Sequence, residues 1–348
     1  MKIKNILSIL CLAILVTIFS GCTINNPGGG GFFKSADGGM TFNQGTSELA
    51  SVLVEKNILS LEINPSNNKE IFVGTLSSGL FKSVDGGETW LTGVNSFQSI
   101  YDIELIPNTA IIYMIAKKNG RGKLLKSDNN GEVWEELYTE KDETSFLTSM
   151  AIIRNNFNEI YISNSKGGLF KSEDAGITWK NIYWADSLIR KIEIDNVNSN
   201  IIYLATNQSG LLMSENRGQE FNSIIQGGYI YNVLSHPNRE GFLYVSSKNG
   251  LQRSLNKGSD WETLNTLVKS EELVSRGLAI NPNNTQEIYY TSGKTFYKSS
   301  NEGETWMPVQ FDIGVSIEII KIDPGNSQLI YLGTNNRGGG SILTPTFN

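Results

Sequence analysis

The side chains that most often carry catalysis are scarce in this sequence. It holds two cysteines, Cys11 and Cys22, and one histidine, His236. Both cysteines precede residue 23, so the rest of the chain offers no thiol nucleophile, no thiolate metal site and no disulfide framework. A single imidazole excludes a His-rich metal centre. No metal and no cofactor are expected. What remains is carboxylate, guanidinium and phenol chemistry. Such groups recognise sugars, proteins or anions, and two carboxylates flanking one bond hydrolyse glycosides. Acidic residues number 35 with aspartate and glutamate together, yet no pair stands out from a repeating background. The residues that do stand out are Tyr101, Arg190, Tyr231, Arg276 and Glu318. They recur at one step of a repeat, and tyrosine and arginine are the types that anchor interfaces.

The repeat must position them. Seven segments share the pattern Ser-x-Asp/Asn-x-Gly-x-x-aromatic, centred on Asp37, Asp85, Asn129, Asp174, Asn216, Asn256 and Asn301. Successive serines, Ser35 to Ser299, are spaced by 48, 44, 45, 42, 40 and 45 residues. That period suits one four-stranded blade. The serine hydroxyl and the carboxyl or amide can bond nearby backbone and close a tight hairpin. Glycine supplies the positive φ of the turn. The Trp or Phe that follows fills the gap between strands. These side chains read as staples of the fold, not as catalysts.

Around each box the strands repeat too. An inner strand ends in a turn such as Asn64-Pro65, His236-Pro237, Asn281-Pro282 or Asp323-Pro324, and two apolar strands follow before the box. His236 takes the turn position held elsewhere by Asn or Asp. The chain starts with the third and fourth strands of a unit, from Phe32, and ends with the first and second. The expected fold is therefore all-β: a seven-bladed propeller of four-stranded antiparallel blades, the last closed by strands from both termini. Closure removes an open sheet edge, and a monomer is expected. A short third-like strand is expected at Ser341–Thr344 after the closing strands, and an eighth, partial blade is the alternative.

The boxes resemble the Asp-box (BNR) repeat of sialidases, sortilin-like domains, xyloglucanase-type glycosidases and the photosystem II assembly factor. The resemblance covers about residues 32–344. It implies a propeller, and it implies little about activity, because the box is structural in those families. Blade count and a lipid anchor look most like the assembly-factor group. Sialidases carry an arginine triad and an early Arg-Ile-Pro motif. None of the eight arginines here stands in such a context. The resemblance thus favours a non-catalytic protein- or glycan-binding scaffold, with a carbohydrate-active hydrolase as the alternative.

In propellers of this kind the first strand of each blade lines the central channel. Aligning these strands on their terminal turns places Leu59, Tyr101, Ser149, Arg190, Tyr231, Arg276 and Glu318 around its mouth. The loops on that face add Lys118, Arg121, Lys166, Lys248, Lys294 and Arg337, a basic rim that could steer an acidic partner. They also add Tyr183, Trp184 and Phe311. Trp184 is the one tryptophan outside the boxes.

The N-terminus reads as an address. Lys2 and Lys4 precede an apolar run from Ile6 to Phe19 and then Ser20-Gly21-Cys22, which resembles the bacterial lipobox, with Phe19 where leucine is usual. The expected organisation is a signal peptide over 1–21, a lipidated Cys22 with a Gly/Asn tether over 22–31, and the propeller over 32–348. A plain signal peptide is the alternative. Thr23, where an aspartate would mark inner-membrane retention, favours the outer membrane or the cell surface. Loss of the leader moves the net charge from −6 to −8 and the basic count from 29 to 27, a balance unlike that of a nucleic-acid binder.

Overall fold

A computed structural model describes residues 29–45, 47–49, 51–93, 97–269, 276–311 and 313–336. Cys22 with its leader, Arg337 and the segment 341–344 lie outside the described residues. The chain forms a seven-bladed β-propeller. Six sheets have four strands each, running consecutively outward from the channel. The first blade, for example, runs Ile58–Ile63, Ile71–Thr75, Leu80–Ser83 and Leu91–Thr92. The seventh joins both ends of the chain: Phe32–Ser35 pairs antiparallel with Ile330–Asn335, which pairs with Ser316–Ile322. Asn43 and Lys34 exchange backbone bonds at 2.9 Å, so a single bridge marks that blade's fourth strand.

Each strand choice follows from its side chains. The second strands, such as Ile202–Thr206 and Leu243–Ser247, are buried on both faces and read as apolar runs. The outer strands, such as Asn222–Gln226, are largely exposed and polar. The boxes then lock the hairpins. In the third blade Ser172 Oγ bonds Asp174 Oδ1 at 2.8 Å and accepts from the Gly176 amide at 2.8 Å. Asp174 accepts from both the amide and the hydroxyl of Thr178, at 2.8 and 2.6 Å, which hold its carboxyl down at about 2. The serine–Asp/Asn–glycine bonds recur at every box, with Asn replacing Asp in four.

A second function of the box lies in its fourth residue. That residue is Gly38, Gly86, Asn130, Ala175, Arg217, Lys257 or Glu302, and all seven have positive φ. In each blade its amide donates to a carbonyl in the inner turn of the same blade, as Ala175 does to Asn158 at 2.9 Å. Its carbonyl accepts from the preceding blade at five interfaces: Asn130 from Lys82, Ala175 from Tyr113, Arg217 from Tyr161, Glu302 from Tyr244 and Arg253, and Gly38 from Lys298. The box is therefore an inter-blade latch as well as a hairpin staple. Ala175 carries this geometry at φ 58° at a steric cost. Ala175→Gly is expected to raise stability by about 0.5–1 kcal/mol, read as a higher urea midpoint at unchanged slope.

The box rings sit between blades. Trp90 packs edge-on to Phe32 with centroids 4.8 Å apart, joining the first blade to the seventh. Phe42 packs on Phe296 and Phe311, joining the seventh to the sixth. Phe311 is thereby buried and offers nothing to a partner, contrary to its expected place on an exposed loop. The aromatic at the end of its strand was drawn inward because the cluster around Phe33 and Phe42 needed a ring.

Candidate functional site

The inner strands enclose an axial channel of about 800 Å³. Each of the six inner strands whose full start is described carries a register shift at its beginning, and the extra residue faces the channel mouth. A bulge bends its strand and re-aims one side chain. In five blades the extra residues are Leu59, Tyr101, Arg190, Tyr231 and Glu318, the residues expected from the sequence. Arg276 precedes the shortened strand Leu278–Ile280 and also lines the channel. In the third blade the extra residue is Thr148, so the expected Ser149 is off by one. That blade has Arg154 where five others have proline after the inner strand, so the alignment there had no proline to rest on. Ser149 lines the channel as well, but its hydroxyl accepts the Ile192 amide at 3.1 Å and ties two blades together.

Similar ties run around the whole belt. Ser60 Oγ donates to the Ile100 carbonyl, Asp102 accepts the Met150 amide, Lys191 donates to Asn232 and Val233, and Asn232 donates to the Arg276 carbonyl. Thr291 donates to the Ile317 carbonyl, and Lys321 pairs with Glu62. The mouth therefore stands on a rigid frame.

At the mouth, Arg276 Nη1 meets Glu318 Oε2 at 2.6 Å, and their side chains are only 9 % and 8 % exposed. Arg190 donates to Asn207 Oδ1 at 2.9 Å and to the Tyr229 hydroxyl, and its guanidinium lies 4.8 Å from the Tyr229 ring centroid. Tyr229 in turn packs against Tyr231 at 4.9 Å. Burial, and then the charge of Arg276, pull the Arg190 pKa below its ordinary value. Tyr101 stacks on Phe146 at 5.8 Å. The result is a partly buried patch of two guanidiniums, one carboxylate and three phenols. Cutting one half of the Arg276–Glu318 pair strands the other. Arg276→Met should cost about 3 kcal/mol, and adding Glu318→Leu should recover most of it, measured in a double-mutant cycle of denaturant melts.

Deeper in the channel lies a layer that the sequence reading missed. Glu62, Glu104, Glu193 and Lys321 come three residues after the mouth positions, with Asp102 one residue after Tyr101. Burial, and then the charges of Glu62 and Asp102, push the Glu104 carboxyl up to about 8. Burial likewise lifts Asp102 to about 6 against the bond from the Met150 amide. Burial disfavours the Lys321 ammonium, but Glu62, Glu104 and Asp102 outweigh it and raise its pKa. The signal for this layer was the alternation Leu61-Glu62-Ile63, Ile103-Glu104-Leu105, Ile192-Glu193-Ile194 and Ile320-Lys321-Ile322. It puts one charged side chain per strand on the channel face. At the far end Pro65, Pro107, Pro237, Pro282 and Pro324 line the exit with Arg154 and Asn196.

Other expected features sit elsewhere. Trp184 is 55 % exposed, but it ends the outermost strand Lys180–Trp184 and pairs with Gly168, far from the channel wall. Tyr183 packs on Phe221. The expected basic rim is largely neutralised: Lys118 pairs with Glu136 at 3.1 Å, Arg121 with Glu143 at 3.7 Å and Lys166 with Asp142 at 2.6 Å. His236 is buried, its Nδ1 accepts the Asn238 amide at 3.2 Å, and it stacks on Phe242 at 4.8 Å. Burial, and then Arg239, push its pKa down to about 4, so it is a neutral turn residue. Asn64 and Asn281 make the same bond with Oδ1.

No family model matches this chain. Part of it is 30% identical over 116 residues to a xyloglucanase of Hypocrea jecorina, covering 32% of this chain and 14% of that protein. It is 25% identical over 140 residues to an oligoxyloglucan-reducing end-specific xyloglucanase of Emericella nidulans, covering 34% of this chain and 17% of that protein. The chain thus spans a small part of the length of the curated relatives it matches. Among solved structures it resembles the GH74 enzyme of Niastella koreensis, with TM-score 0.68 and 16% identity over 81% of this chain but 51% of that one. It also resembles YCF48 from Cyanidioschyzon merolae, with TM-score 0.65 and 12% identity over 84% of this chain and 98% of that one. A structure of YCF48 bound to D1 peptide matches with TM-score 0.60 and 12% identity, covering 90% and 99%. At these identities the likeness is one of fold, and it agrees with the propeller described above.

Proposed function

We propose that this protein is an exported, lipid-anchored scaffold that binds a protein or glycan partner at the channel mouth and carries out no catalysis of its own. One observation carries the reading. Arg190, Arg276, Glu318, Tyr229 and Tyr231 converge from separate blades on one partly buried patch, held by hydrogen bonds and ring packing. Arginine and tyrosine held in place in this way bind with little ordering cost. The match to YCF48, of which one structure holds a peptide, supports a propeller of this kind as a binding unit. Envelope fractions and a glycan array, probed with the wild type and with Arg190→Ala, test this. The partner found should be lost or weakened by the substitution. A partner indifferent to it would exclude the mouth. Incorporation of labelled palmitate, abolished by Cys22→Ala, tests the anchor.

A second reading, a xyloglucan-type hydrolase, draws on the partial matches to xyloglucanases and on the pair Asp102 and Glu104, whose pKa values are raised to different degrees. Release of reducing ends from xyloglucan should stay at the level of a blank. Turnover abolished by Glu104→Gln would establish the hydrolase.

A further inference from the structure

Two sets of charges in the channel make no ion pair within 4 Å among the described residues, and they lie in different layers. At the mouth Arg276 is matched by Glu318, whereas Arg190 has only the neutral partners Asn207 and Tyr229 and no carboxylate within 4 Å among the described residues. In the deeper layer Lys321 is matched by Glu62 and Lys191 by Glu193 at 3.1 Å. Asp102 and Glu104 are left with no ion pair within 4 Å among the described residues. Asp102 accepts only backbone amides, from Met150 at 2.8 Å and Ile103 at 3.0 Å. Both groups belong to Ser99–Leu105, two residues apart, and therefore face the same way; Glu104, raised to about 8, gives up its proton when a cation settles beside it.

The separation is set by the strands. Arg190 occupies the position of Tyr101 in its own blade, and Glu104 is three residues beyond Tyr101. At about 3.3 Å per residue the level of Arg190 stands about 3 Å from that of Asp102 and about 10 Å from that of Glu104 along the axis. The intervening space belongs to the same cavity of about 800 Å³. A simple anion bound at Arg190 would leave the carboxylates unanswered.

We infer that the channel is a polarised site for an extended zwitterion, its anionic end at Arg190 and its ammonium end at Asp102 and Glu104. A ligand of roughly three peptide units has the required span. This rests on the mouth being the binding face, and it narrows the ligand to a linear molecule with opposite charges at its ends.

Oligoglycines of graded length are direct probes, because each is a zwitterion whose charge separation grows with every residue. Titrated calorimetrically into the full chain, affinity should rise from glycine to a maximum at three or four residues. Amidating the carboxyl end, or acetylating the amino end, should each weaken binding roughly tenfold. Arg190→Gln should abolish the penalty for amidation and keep that for acetylation. Glu104→Gln should do the converse, with Asp102→Asn/Glu104→Gln as a stronger form, and thermal melts verify that each variant is folded. Should the double variant unfold, Glu104→Gln alone decides. No heat at millimolar peptide, binding blind to end-capping, or variants that alter both penalties alike would overturn the inference. In those cases a macromolecular partner sensitive to Arg190→Ala would still stand, so the two readings fail separately.

Discussion

Trp90→Ala is expected to lower the stability of the folded chain by about 3–5 kcal/mol, the range for deleting a buried aromatic from a packed core. Its ring is 2 % exposed and lies against Phe32 and the cluster of Ile71, Val73 and Tyr331. Those partners come from the first blade and from both chain-terminal strands of the seventh. Removing the ring opens a cavity at the seam where the circle closes, and neighbouring strands cannot collapse into it without breaking their pairing. Native domains hold only about 5–15 kcal/mol in reserve, so this one change removes a large share. Urea denaturation followed by tryptophan and far-ultraviolet signals should show a lower midpoint with an unchanged slope. The equivalent change at Trp134, a half-buried ring whose Nε1 donates to the Gly131 carbonyl at 3.0 Å, should cost less. Equal losses at the two positions would mean that the seam carries no special weight.

The second large effect is a pH dependence located in the channel. Folding raises the Glu104 pKa from an ordinary 4.5 to about 8, because burial and the charges of Glu62 and Asp102 disfavour its ionised form. Between those values the folded chain holds a proton that the unfolded chain has released. Stability is therefore greatest below about pH 4.5 as far as this group is concerned, and it declines as pH rises through 8. Glu104→Gln keeps the neutral shape and removes the titration. The variant should match the wild type near pH 5 and exceed it by about 1–3 kcal/mol at pH 9, after allowing for screening by channel water. Chemical denaturation at several pH values measures the difference. A difference that stays constant with pH would show that Glu104 ionises normally.

Much of the fold was legible because the boxes carry their own geometry. Ser172, Asp174, Gly176 and Thr178 make local bonds that depend on no distant partner, so their spacing alone announces the hairpin. The mouth positions were also readable, since most of them lie a fixed number of residues before a turn with proline. Where Arg154 replaced that proline, the register slipped from Thr148 to Ser149. The deeper layer escaped for a different reason. Glu62, Glu104 and Lys321 look like ordinary solvent-facing strand residues until closure of the ring brings three separate blades to one axis. The latch from Tyr113 and Tyr161 to the boxes of following blades was hidden likewise, because it joins residues 62 and 56 positions apart. The exposed loop positions misled in the opposite direction. Phe311 is packed inside, and the rim cations Lys118 and Lys166 are spent on Glu136 and Asp142.

The claim that the channel mouth is the binding face is tested most directly by site-specific photo-crosslinking in the native envelope. A benzophenone side chain at Tyr231 samples the mouth, and one at Ile177, 75 % exposed in a box turn, samples the opposite face. The mouth probe should capture a defined partner that disappears when Arg190→Gln is added, while the box probe captures nothing above background. A partner captured at position 177 alone, or at position 231 regardless of Arg190, would contradict the account.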